Sequence, residues 1–195
     1  MHAIHDGVRR FQAEVYPDLR ERFEELAGGQ SPPTLFITCS DSRVDPSLIT
    51  QQGPGDLFVS RNAGNLVPVH GEDEGTASAV EYAVAALGVE LIVVCGHSGC
   101  GAMGGLLAPD SLASLPRVAA WVKHAQPTAD AVAQLGPGLK LSSAIEHNAS
   151  KQLDNLQTHP TVEAAMAAGK LRLEAWVYDI GSGSVRVVRT VGGEA

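Results

Sequence analysis

The sequence predicts an α/β protein with a mostly parallel central β-sheet flanked by helices, and three observations carry that expectation. Three short apolar runs, TLFITC (34–39), DLFVSR (56–61) and ELIVVCG (90–96), lack polar alternation and read as strands buried on both faces of a parallel sheet. Segments with helical character separate them, as the crossovers between parallel strands require. At 195 residues, 44% hydrophobic and 18% charged, the chain (1–195) suits a single globular domain with a sizeable core.

The elements follow in order. Val8, Phe11, Val15, Leu19, Phe23 and Leu26 are spaced by three or four residues, which predicts an amphipathic helix over 4–27, stopped by Gly28 and Gly29. This helix has an apolar stripe to bury. After the first strand, Asp45 and Pro46 suit the N-cap and first position of a helix running to about Gln52. GTASAVEYAVAALG (75–88) supplies the next helix. Residues 108–140 carry several Pro and Gly around a helical piece, LPRVAAWVKHA, and are expected to form a surface excursion within the domain. A helix is expected from Ser142 to Leu156, and LRLEAWVYDI, GSG and SVRVVRTV then form a C-terminal β-hairpin. No internal repeat or low-complexity tract is evident.

Charge and composition exclude some functions. A formal net charge of -8 with only 14 Lys and Arg argues against nucleic acid or an anionic membrane as a partner, because phosphate neutralisation needs a basic face. The opening MHAIHDGVRRFQAEVY has no apolar h-region and no apolar run approaches a membrane span, so a cytoplasmic protein is expected. Cys39, Cys95 and Cys100 make an odd number, the wrong arithmetic for a disulfide framework and compatible with reduced thiols.

The chemistry is expected at the strand ends. In CGHSGCGAMGG (95–105), Gly99, Gly101 and Gly104 fit G-x-G-x-x-G, while His97 and Cys100 form an H-x-x-C ligand pair. A dinucleotide site needs an acidic residue at the end of a further strand about twenty residues on. Here the chain runs through LLAPDSLASLPRVAAWVKH instead, and the glycines suit a tight loop around a metal. Cys39 ends one buried strand, and His97 and Cys100 follow another, where ligands gather in open α/β sheets. Alone, each is an ordinary buried or loop residue. Together, two thiolates and an imidazole suit Zn2+ and leave a fourth tetrahedral position open. A structural site would need a fourth ligand, for which His70, His124, His147 and His159 are the distant candidates. Cys95 lies mid-strand and reads as a small hydrophobe. Asp41 and Arg43, in CSDSRV, form either an exposed turn ion pair or an outer element, with Asp41 facing the metal and Arg43 holding it ionised.

CSDSRV, GDLFVSRNAGN and CGHSGCG together resemble the signature blocks of the β-class carbonic anhydrases, and GQSPP, AVEYAV and WVYDI extend the likeness over most of the chain. The resemblance implies reversible hydration of carbon dioxide to bicarbonate and a proton, by hydroxide on one Zn2+ per chain held by Cys39, His97 and Cys100. It implies that Asp41 accepts a hydrogen bond from that hydroxide, that Arg43 fixes Asp41, and that the Gly101 amide helps hold substrate. Gln30, Phe58 and Tyr82 fall where the family places pocket residues donated across a dimer interface. A homodimer or dimer of dimers, embraced by the N-terminal arms, follows from the same likeness. A subset of the family closes its site by binding Asp to zinc and typically has Trp three residues before the first zinc Cys. Here Phe36 stands there, which favours an open site with Asp41 paired to Arg43 over one with Asp41 as fourth ligand.

Two thiolates cancel the metal's formal charge, so activity is expected to rise toward alkaline pH. The alternatives are a carbonyl sulfide or carbon disulfide hydrolase on the same scaffold and a non-catalytic zinc- or bicarbonate-binding protein.

Overall fold

The computed structural model describes residues 3–135 and 140–193. A long N-terminal helix runs as α1 (Ala3–Arg10), a wider π-type turn at Phe11–Val15, and α2 (Tyr16–Leu26). It agrees with the predicted periodicity, yet buries no residue against its own chain. Phe11, Tyr16 and Phe23 pack on one another along it. Its main tie to the body is Arg22, which donates to the Pro54 carbonyl and, at 3.0 Å, to the Asp56 carboxylate.

The sheet contains β1 (Thr34–Cys39), β2 (Leu57–Asn62), β3 (Leu91–His97), β4 (Arg172–Tyr178) and β5 (Val185–Val191), in the order β2-β1-β3-β4-β5. The first four pair in parallel, and β5 returns antiparallel to β4 as the expected hairpin. The crossovers carry the predicted helices. α3 (Pro46–Thr50) is capped by Asp45, whose carboxylate accepts from the Leu48 amide at 3.1 Å. α4 (Glu74–Glu81) is capped by Asp73 and continues as a π-type turn (Tyr82–Leu87) that ends at Gly88. α8 (Lys140–Leu156) and α9 (Pro160–Ala167) complete one face of the sheet.

On that face Leu35, Ile37, Ile92, Val94, Leu173 and Ala175 meet Val80 of α4, Ala149, Leu153 and Leu156 of α8, and Val162 of α9. β3 approaches α8 closely at Gly96, where a Cβ would lie 3.1 Å from the Ile145 side chain. The other face carries a thinner cluster of Phe36, Val93 and Cys95 beside an apolar groove of about 480 Å³ that reaches Trp176, Val185 and Val187.

Four expectations are corrected. DLFVSR is not buried on both faces: β2 is the edge strand and Val59 is exposed, so its apolar content marks a face that one chain leaves open. The glycines after Cys100 do not form a loop, because α5 (Gly101–Leu107) is a helix whose Met103 and Leu106 are buried; packing outweighs glycine's poor helix propensity. Of residues 108–140, 136–139 lie outside the described residues; the expected helical piece is present, and the described part is more than a surface excursion. α6 (Pro116–Val122) and α7 (Gln126–Val132) bury Val122, Thr128 and Val132, and a second core joins Leu112, Val122 and Ala125 to Cys39, Cys100, Met103 and Ile145. The chain between Leu156 and the hairpin, which carried no predicted element, contains α9. Among the described residues no helix is long and apolar enough to cross a membrane.

Leu153 is fully buried between α8 and the sheet. Leu153→Ala is therefore expected to lower the unfolding free energy by about 2–5 kcal/mol in a urea titration.

Candidate metal centre

β1 and β3 run in parallel register with Thr38 opposite Cys95, so Cys39 and His97 leave the sheet at the same carboxyl end. A turn through Ser98 and Gly99 then delivers Cys100 at the start of α5. One ligand atom from each of Cys39, His97 and Cys100 lies within 4.8 Å of the others, and all three residues are buried. No other such group exists among the described residues. His124 pairs with Glu72, His147 with Thr128, and His159 with the Pro68 carbonyl beside His70, so none of these histidines supplies a fourth ligand.

The donor set fits a metal ion on the structure's own evidence. His97 is wholly buried and its Nε2 has no hydrogen-bond partner, a costly arrangement that a bound cation relieves. Its Nδ1 faces the Ser98 carbonyl at 3.1 Å, which holds that nitrogen protonated and leaves the Nε2 lone pair directed at the thiols. Ser98 is itself held: its amide donates to the Tyr178 carbonyl, and its hydroxyl accepts from the Ile180 amide at 2.9 Å.

The two thiols interact with each other and with nearby backbone amides. A hydrogen bond from Cys100 draws the Cys39 thiol well below its ordinary range against the opposing effect of burial, helped by His97 and the backbone amides of Gly64 and Asp41. Cys100 is pushed up because it holds the proton shared with Cys39 and is buried, although the amides of Met103 and Ala102 partly offset this. Burial presses His97 toward neutrality, but the neighbouring Cys39 sulfur, the Ser98 carbonyl and the Asp41 carboxylate outweigh it and the net shift is upward. Cys95 differs: burial pushes its thiol up to about 12, leaving an inert hydrophobe, as its mid-strand position suggests.

Asp41 stands beside this group. Arg43 grips it with Nε on Oδ1 at 2.9 Å and Nη2 on Oδ2 at 2.7 Å, and the Arg43 amide adds a bond to Oδ1 at 3.0 Å. These bonds hold the Asp41 carboxyl far below the usual carboxylate range. Oδ2 lies 3.9 Å from His97 Nε2, so the carboxylate faces the donor atoms. Arg43 also donates to the Gly99 carbonyl at 3.3 Å, tying the two ligand-bearing loops together.

Several positioning residues were not singled out in the sequence. Arg61 donates to the carbonyls of Cys39, Asp41 and Val44 at 2.8–3.1 Å and fixes the loop carrying Asp41. Asn62 brackets Leu66 through two bonds of 2.8 Å, shaping a loop whose Gly64 amide donates to Cys39 Sγ at 3.4 Å. Trp121 and Asn148 hold the Ala63 and Gly64 carbonyls. The available signal was Asn148, Gln152 and Asn155 recurring at helical spacing on the apolar side of α8.

The structure does not bring Gln30, Phe58 or Tyr82 to the donor group within one chain. Phe58 pairs with Leu35, four residues before Cys39's partner Asn62, or about 13 Å along the strand. It packs on Tyr82 at 5.9 Å, and Tyr82 is half exposed. Gln30 is exposed at the opposite end of the sheet, ahead of β1. Gly101 opens α5 beside Cys100. Phe36 is buried edge-to-face against Trp176.

Comparison with known proteins agrees with this arrangement. Residues 34–185 match the family model described as carbonic anhydrase. A carbonic anhydrase of Pseudomonas aeruginosa is 50% identical over 189 residues, 95% of this chain and 86% of the relative. One of Synechococcus elongatus is 46% identical over 95% of this chain and 70% of its own length. The solved structure of the β-carbonic anhydrase CcaA superposes with a TM-score of 0.92 at 42% identity, covering 99% of this chain and 92% of the other. A structure from a study of two tetrameric β-carbonic anhydrases of Sordaria macrospora gives 0.85 at 30% identity, covering 97% and 99%. The matched span contains both strand ends and every residue of the donor group, and the chain belongs to the β-carbonic anhydrase family of enzymes.

Proposed function

We propose that the chain hydrates carbon dioxide reversibly to bicarbonate and a proton at a zinc ion held by Cys39, His97 and Cys100. The observation that carries this is the buried Cys–His–Cys group with an ionised, doubly clamped Asp41 facing it. Zinc bound there supplies a Lewis acid that lowers the pKa of a water molecule and so provides a nucleophile at moderate pH. Two thiols and an imidazole are a donor set that suits zinc, and three protein ligands leave one position for chemistry.

The chain's own residues do the rest. An ionised Asp41 is only an acceptor, so it takes a hydrogen bond from an O–H placed among the donor atoms and leaves that oxygen's lone pair free to face the substrate carbon. Arg43 keeps the carboxylate in place: losing the fork would let Asp41 rotate or protonate. The double clamp supports an open site, in keeping with Phe36 in place of Trp, with Asp41 holding a proton donor and not ligating the metal. The Gly101 amide is positioned to hold substrate oxygen. The substrate is small and uncharged, so little binding apparatus is required.

We also infer self-association, with residues 1–29 as the arm of a single functional unit spanning 1–195. Ile4, Val8, Phe11 and Val15 are 65%, 52%, 41% and 43% exposed, although they form the apolar stripe of α1 and its extension. Gln30, Phe58 and Tyr82, remote from the donors of their own chain, are then available to line a partner's site.

Four outcomes are expected. Cys39→Ser should lose zinc by metal analysis together with activity, whereas Asp41→Asn should retain zinc and lose about 10–100-fold in kcat. An Asp41→Asn variant with the parent rate would remove Asp41 from the mechanism. Stopped-flow hydration over about pH 6–9 should rise with pH. Asp41 has its pKa depressed, so it stays ionised throughout that window and the rise reports the nucleophile. Phe11→Asp should shift the protein toward monomer in sedimentation velocity, and an unchanged assembly would clear the arm of that role.

A further inference from the structure

We propose that Asn148, which touches neither the donor group nor substrate, is a positioning residue for the reaction: it fixes Gly64 so that the Gly64 N–H donates to the Cys39 sulfur and draws charge from it. The inference rests on the reading of Cys39, His97 and Cys100 as metal ligands.

The two sulfurs are served differently. Cys100 begins a helix, and the amides of Ala102 and Met103 are supplied by its own next turn. Cys39 ends a strand and has no helix directly behind it. Part of its support comes from the Asp41 amide, and the rest must come from another segment. That segment is the loop after β2, whose Gly64 amide lies 3.4 Å from Cys39 Sγ.

The loop is not held by regular secondary structure. Asn148 Nδ2 donates to the Gly64 carbonyl at 3.0 Å, and Trp121 Nε1 donates to the Ala63 carbonyl at 2.8 Å, so both peptide planes around Gly64 are pinned. Asn148 is in turn fixed by Gln152, whose Nε2 donates to its Oδ1 at 2.9 Å. Gln152 Oε1 accepts from the Val67 amide at 2.7 Å, and Asn155 Nδ2 donates to the Val67 carbonyl at 2.8 Å. Asn148 and Gln152 are each 1% exposed, and burying such amides is costly unless every group finds a partner. Gly64 itself has φ +84°, and a Cβ there would stand 3.0 Å from Ala102 Cβ, two residues past Cys100. The loop therefore interlocks with both cysteine-bearing elements, and α8 sets its position.

A hydrogen bond to a thiolate withdraws electron density that the sulfur would otherwise give the metal. A less donating Cys39 leaves the metal a stronger Lewis acid, which counters the charge cancellation expected from two thiolates. Asn148 thereby acts on the reaction from α8 across the single residue Gly64.

The test uses full-length protein loaded with Co2+, whose sulfur-to-metal charge-transfer absorption reports the energy of the thiolate lone pairs. In Asn148→Leu the sulfur loses its aligned donor, so the band should move to longer wavelength, and in the zinc enzyme kcat should fall about tenfold with KM unchanged. Trp121→Phe, which removes the bond to the Ala63 carbonyl in the peptide that carries the Gly64 N–H, should give a shift of the same sign, and it decides the matter if Asn148→Leu does not fold. Leu153→Ala, on the same helix, should lower thermal stability without moving the band. A parental band in the folded Asn148→Leu protein, or in Trp121→Phe when that variant decides, overturns the inference while leaving the metal site intact. An equal shift in Leu153→Ala overturns it as a packing effect. Absence of any thiolate band in the parent protein overturns the metal reading and this inference with it.

Discussion

The parallel register of β1 and β3 is the constraint on which the site depends. With Thr38 opposite Cys95, the strand ending in Cys39 and the strand ending in His97 finish side by side, and each donor emerges where the sheet gives way to loop. The register sets how close the two strand ends lie, so a slip would carry Cys39 along the sheet away from His97 and disperse the group. Packing supports the hydrogen-bonded ladder in holding that register: Leu35, Ile37, Ile92 and Val94 are fully buried in the core that α8 helps to form, and Gly96 lets that helix approach close to the ligand-bearing end of β3. A donor set built on strand ends backed by a helix keeps its shape far better than one carried on free loops.

Around that base, charge is arranged in layers. Two sulfurs and a ring nitrogen meet at the centre, backbone amides point at the sulfurs, and a carboxylate stands to one side with a guanidinium outside it. Arg43 is half exposed, so its worth lies in geometry and not in stability: an exposed ion pair contributes little to folding. Arg61, by contrast, is committed to backbone carbonyls and turns the CSDSRV segment into a rigid shelf.

Much of this was legible in the sequence, for identifiable reasons. TLFITC and ELIVVCG announce buried strands by their lack of alternation, and ligand-type residues at both ends point to one site because parallel strands end together. Asp45 and Pro46 mark a helix start by local chemistry. α5 was hidden because its glycines speak for a loop while its burial of Met103 and Leu106 depends on partners far along the chain. α6 could be read in LPRVAAWVKHA, whereas α7 was hidden by Pro127, which stands in the first turn of its helix and not between elements. The amides of α8 could be placed on a helix, but the carbonyls they satisfy lie more than 80 residues away. The apolar content of DLFVSR is a property of a sheet edge, and no periodicity distinguishes it from a central strand.

The N-terminal helix has a consequence of its own. Its two α-helical stretches bury no residue fully in their own chain and are tied to the body mainly through Arg22. A helix of this length is only marginally stable by itself in water. If another copy of the chain supplies the missing contacts, the order of the first two dozen residues becomes a function of protein concentration, and the melting temperature becomes one as well. Dilution would then loosen the arm before it reached the strand ends, so that metal retention and arm order fail at different concentrations.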